Sequence, residues 1–272
     1  MTTWNQCITY YEKLFDTIQL YAKTNLKEAK TDTVLKTIGL HFLEKLHINL
    51  INCIDALRKV ERHPLNFLSL GLLLRGMLSD IINYRYLRQV YSVIGPSDFE
   101  TEVQVLELDF VRAYKRMVDN EKQMAKGDKE MEKLIEGTFQ KNFSEFYKGG
   151  ELKGEADFRS REFWNKIHEY LKNIDVDETL RISTEAVKMK FIRDQHAERI
   201  QILYTYLSQL QHFSGRAYNF YKSKEFSDFN PHFTLMLLFF ADLVLISIVG
   251  DLSNDEKTLT DLGQLAKEMA EI

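Results

Sequence analysis

Arg75 stands in the middle of the apolar run Leu70 to Leu78. A guanidinium stays protonated, so burying it without a partner costs several kcal/mol, and the fold must bring a carboxylate or carbonyl oxygens to it. Asp80 and Asp242 are the candidates in the apolar stretches. Two roles stay open for Arg75: a structural one, as an ion pair or a side chain snorkelling at the bundle rim, and a functional one, as a wall of a polar pocket. A second group has the spacing of a helix stripe. Tyr204, Ser208 and His212 recur every fourth residue beside an apolar line of Leu203, Leu207 and Leu210. Such a stripe can hold a ligand or a water network, with His212 titrating near neutral pH, or can be a set of core polar groups that have found partners.

Both segments carry a resemblance. Residues 74–87, Leu-Arg-Gly-Met-Leu-Ser-Asp-Ile-Ile-Asn-Tyr-Arg-Tyr-Leu, resemble the signature helix of a bacterial family of unknown function, in which an Arg on an apolar helix is followed one turn later by an acid. Tyr204, Leu207, Ser208, His212 and Ser214 match that family's second signature, Tyr-x-x-Leu-Ser-x-x-x-His-x-Ser. The match departs at Ser79, which stands where the family has its acid, with Asp80 one residue on. The resemblance implies an α-helical bundle loosely similar to the HEPN group, whose active members cleave RNA with an Arg placed shortly before a His. No Arg holds that place before His212, where Tyr206 and Leu207 stand.

Other chemistry finds little support. Glu44 and His47 have the Glu-x-x-His spacing of di-iron bundles, with His41 nearby, but no second such motif occurs. Phosphate-loop, dinucleotide and nucleophile-elbow patterns are missing, and the glycine-rich stretch Gly149 to Gly154 follows no strand pattern. No metal and no cofactor is expected.

Helices must position these residues. With 3 Pro and 12 Gly in 272 residues, there are few places where a helix has to stop. Helical spacing runs over about residues 3–23 (Tyr10, Leu14, Ile18, Tyr21) and 32–62 (Leu35, Ile38, Phe42, Leu46, Leu50, Ile54). After Pro64 the segment to Val93 is apolar on nearly every side, which predicts a central helix. Ser97 and Glu100 have capping-box spacing for the next helix, with Phe99, Val103, Leu106, Phe110 and Tyr114 as its apolar stripe. Residues 119–155 predict an exposed helical arm that docks back through Met131, Ile135, Phe139, Phe143 and Phe146. A short helix holds Phe163, Trp164, Ile167, Tyr170 and Leu171; Asp177 is an N-cap candidate; Phe191 to Phe213 predicts a further helix; 223–231 reads as a loop; and 253–272 as a last helix. No strand-period run and no repeat is found, so the expected fold is a single all-α domain over 1–272, a bundle of about eight or more helices, several of them long.

The composition, 44% hydrophobic and 28% charged, is that of a globular protein. A net charge of -4 gives no uniform field for phosphates. Cys7 and Cys53 both fall in apolar helical patterns, which fits buried thiols in a reducing cytoplasm. Residues 233–249 are nearly all apolar, close to the lower limit for a bilayer span, but Asp242 interrupts them, and a core helix rather than an integral membrane span is expected.

The expected function is a binding or regulatory bundle of a stress or phage-defence setting, with a polar pocket around Arg75 and His212 and a small molecule or a protein as partner. The alternative is a HEPN-like, metal-independent ribonuclease acting as a homodimer, with His212 as general acid or base and RNA as partner.

Overall fold

Long stretches free of glycine and proline become long helices. A computed structural model describes residues 4–25, 34–60, 66–173, 185–192, 197–210, 219, 240, 260–261, 263–265 and 267–268. The fold is all-α: among the described residues stand α1 (Trp4–Asn25), α2 (Val34–Val60), α3 (Asn66–Ile94), α4 (Pro96–Met124), α5 (Lys129–Asn142), α6 (Arg161–Asn173), α7 (Glu185–Phe191) and α8 (Ala197–Leu210). The chain divides into two compact units, Met1–Arg88 with Thr184–Ile272, and Gln89–Ser183.

In the first unit α1 and α2 pair side by side, and their apolar stripes meet those of α3 and α8 in one core. Leu14 and Ile18 of α1, Leu46 and Leu50 of α2, Leu74 and Leu78 of α3, and Leu203 and Leu207 of α8 are all buried there. Each such side chain contributes about 2 kcal/mol of transfer free energy. Cys7 and Cys53 are free thiols in this core, and burial pushes both up to about 12. α8 lies so close to α3 that a Cβ at Gly71, one turn before Arg75, would overlap the end of the Leu210 side chain, so a larger residue there has to push that side chain aside.

In the second unit α4 and α5 form a helical hairpin over a core of Leu108, Val111, Val118, Phe139 and Phe146. Gly127, at φ 104°, makes the turn between them, and the Asp128 carboxylate caps α5 by accepting from the backbone N–H groups of Glu130 and Met131. After α5 comes a feature that no strand period announced: Tyr147–Lys148 pairs antiparallel with Glu151–Leu152. Gly149 and Gly150, both at positive φ, supply the tight turn that a two-residue hairpin loop needs. Strands of two residues are too short to show alternation. Ser160 then accepts from the Phe163 N–H and starts α6, whose Phe163, Ile167 and Leu171 are buried.

Three expectations are corrected. α4 begins at Pro96 with Gly95 as its N-cap and no side-chain cap bond, so the Ser97–Glu100 capping box does not form: Gly95, at φ 99°, makes the turn, and Ser97 is already inside the helix. The buried stripe of α4 is Phe99, Glu102, Val105, Leu108, Val111 and Val118, while Phe110 and Tyr114 are exposed. Phe191 ends α7 instead of starting the helix that follows, which is α8. Asp177 and the 223–231 loop lie outside the described residues, as does the 233–249 run except for Phe240, which is buried in the first unit's core. Of the last helix, the described residues are helical, and Leu265 joins the same core. No helix among the described residues is long and apolar enough to cross a membrane.

Candidate functional site

Arg75 is buried, its side chain 6% exposed. On α3 the residue four positions on shares its face, and there the Ser79 hydroxyl accepts from Arg75 Nη1 at 2.6 Å. From α8, Ser208 Oγ accepts from Arg75 Nε at 3.3 Å, and the Tyr204 ring lies under the guanidinium, 4.4 Å from Cζ to the ring centroid. The carboxylate comes from α7: Glu185 takes Arg75 Nη2 on Oε2 and Nη1 on Oε1, and Ser79 donates to Oε1. Three of the five guanidinium N–H donors are thus directed at side chains of this unit, the Nη1 donor being shared between Ser79 and Glu185. Burial alone would raise the Glu185 carboxyl, but hydrogen bonds from Arg75, Ser79 and Tyr204 and the Arg75 charge outweigh it and hold the group below the ordinary glutamate value.

α7 presents one face to α3. Besides Glu185, its buried Lys188 donates to Asn83 Oδ1 at 3.0 Å and stands 5.9 Å from the Tyr86 ring, and Phe191 meets that ring edge-on at 5.2 Å. Glu185, Lys188 and Phe191 recur every third residue, and Arg75, Ser79, Asn83 and Tyr86 at spacings of four and three, so the two helices touch along matched stripes.

Asp80 is not the partner of Arg75. Five residues turn a helix by roughly 140° from the starting face, so Asp80 points elsewhere and pairs with α2: Lys45 Nζ lies 2.7 Å from Oδ1, while Oδ2 is buried with no hydrogen-bond partner among the described residues. Burial raises the Asp80 carboxyl above the ordinary aspartate value, against the hydrogen bond and charge of Lys45. A raised folded pKa means a contribution to stability that is present below the unfolded value and lost as pH rises through the folded one. Asp80→Asn is therefore expected to stabilise the protein by up to about 1 kcal/mol near pH 7 and to change nothing near pH 4. Denaturant midpoints at the two pH values measure this, and a loss of stability near pH 7 would show that the Lys45 pair outweighs burial.

His212 and Asp242 lie outside the described residues. Of the remaining sequence candidates, Arg75, Tyr204 and Ser208 come together and Asp80 stands apart. No family model, curated protein or solved structure matches this chain. The arrangement must therefore be judged on its own chemistry. A guanidinium held this way has little left to offer a ligand, whereas it ties three helices to one another. Glu44, His47 and His41 show no metal geometry: among the described residues no three His, Cys, Asp or Glu side chains converge on one point, and His47 stacks on Phe15 with centroids 4.2 Å apart.

Sequence reasoning missed Glu185 and Lys188, which lie on a seven-residue helix too short to show periodicity. In the second unit it also missed Arg159, whose guanidinium is fully buried against Glu102. A signal for Glu102 exists: it stands three residues after Phe99 and three before Val105, inside the buried stripe of α4.

Proposed function

We propose that this chain is a binding or regulatory helical bundle in which the Arg75 group is a latch fastening α7 and α8 to α3, and not a catalytic centre. The observation that carries this reading is that Arg75 Nε, Nη1 and Nη2 all donate within the unit, to Ser208, Ser79 and Glu185. An arginine that stabilises a phosphoryl transition state has to aim its donors at the substrate. Here they are aimed at a carboxylate and two hydroxyls.

The ribonuclease alternative keeps one argument, the four-residue spacing of Tyr204, Ser208 and His212, two of which meet Arg75. The two readings separate on one experiment. Purified protein incubated with total RNA, without added metal, is expected to leave the RNA intact, as is a His212→Ala variant. Cleavage by the wild type that disappears in the variant would replace the latch reading with an RNA-cleaving one.

A further inference from the structure

The largest exposed apolar side chains of the second unit form a line. On α4, Phe110, Tyr114, Met117 and Met124 follow one another at spacings of four, three and seven, the pattern of a helix face that packs on another helix. Phe110 is 62% exposed, Met117 56% and Met124 82%. From α5, Met131 and Leu134 are exposed as well, and a groove of about 270 Å³ between the two helices is lined by Tyr114, Val118, Glu121, Leu134, Ile135 and Thr138. These side chains offer on the order of 600 Å² of apolar surface, at the top of what an ordinary monomer leaves uncovered. A standard interface takes about 800 Å² from each partner, so this face with its polar rim is enough for a stable dimer.

We propose that this face binds a second copy of the chain, α4 against α4 in antiparallel orientation about a two-fold axis near Met117. Two features of the sequence select that occupant. The first is chemical: the aromatic residues Phe110 and Tyr114 lie in the first half of the stripe, and the thioethers Met117 and Met124 in the second. An antiparallel pairing sets Phe110 beside Met124 of the second copy, the favourable sulfur–aromatic combination, at both ends of the interface. The second is electrostatic. Residues 96–111 carry Asp98, Glu100, Glu107 and Asp109 outside the core and no Lys or Arg, Glu102 being paired with Arg159 inside it, whereas residues 112–129 carry Arg112, Lys115, Arg116, Lys122, Lys126 and Lys129 against Asp119, Glu121 and Asp128. Antiparallel packing lays the acidic half over the basic half, while parallel packing opposes like charges. With the axis near Met117, Glu107 of each copy reaches the turn that holds Lys126 and Lys129 of the other. All three side chains are exposed and have no ion-pair partner among the described residues. An isologous contact of this kind closes after two copies.

The test is the oligomeric state of the purified full-length chain by sedimentation velocity over a range of concentrations. A dimer is expected for the wild type, and a monomer for Met117→Asp with an unchanged helical circular dichroism signal. Direction is read by cross-linking. The native thiols are buried, so a mixture of Phe110→Cys and Met124→Cys chains is expected to give the mixed disulfide. A wild type that is monomeric at every concentration overturns the proposal and leaves the face to a partner of different sequence or to another part of the same chain. A dimer indifferent to Met117→Asp, or cross-links only between like chains, overturns it as well.

Discussion

Glu102→Ala is expected to lower the unfolding free energy by about 3 kcal/mol, the largest effect of any single substitution considered. Both partners of this pair are buried, each side chain 1% exposed. The contact is a fork on a fork: Arg159 Nε donates to Glu102 Oε1 at 2.5 Å and Nη2 to Oε2 at 2.9 Å. Removing the carboxylate takes away the buried fork and leaves the cation in an apolar place with Glu155 2.8 Å from Nη1 and the rings of Phe163 and Trp164 beside it. The cost arises from stranding the charge, not from the worth of the pair. Glu102→Leu with Arg159→Met is therefore expected to recover most of the loss. Denaturant titrations of the two variants decide the matter, and an unchanged midpoint for Glu102→Ala would mean that water reaches Arg159.

The second large effect is at Glu185. Its loss strands Arg75 in the same way, but Glu185 is 28% exposed, and Ser79, Ser208 and the Tyr204 ring stay behind. Glu185→Ala is thus expected to cost about 2 kcal/mol, and Arg75→Met about 1 kcal/mol, because the carboxylate left by the latter can turn to water. The pH dependence is tied to the same group. Its folded pKa is depressed, so its contribution is present above the unfolded value and is lost as pH falls through the folded one. The stability gap between wild type and Glu185→Gln should be open near pH 7 and closed near pH 3. A gap of constant size would remove the carboxylate charge from the account.

The helices were legible because apolar residues at spacings of three and four persist over α1, α2 and α3, where little competes with them. On α4 the same reading chose the wrong face. Val103, Leu106, Phe110 and Tyr114 make the bulkier stripe, yet the core is built on Phe99, Val105, Leu108 and Val111. Periodicity finds an amphipathic face but not its occupant, and α4 has two such faces. Arg75 was legible as a buried cation from its apolar neighbours, and Tyr204 and Ser208 from their spacing. The choice of Asp80 as partner failed on helix geometry that the numbering already contained, since Ser79 and not Asp80 lies one turn from Arg75. Glu185 was not legible, because which carboxylate reaches α3 depends on which helix docks there.

The placement of the two cysteines has a practical consequence. Both lie in the first unit and none in the second, and each is shielded and protonated until that core opens. Alkylation of the native protein therefore counts breathing events of one unit alone. Glu185→Ala should quicken the labelling, while Glu102→Ala should leave it unchanged unless the two units open together, so a single reagent reports how far their cooperativity extends.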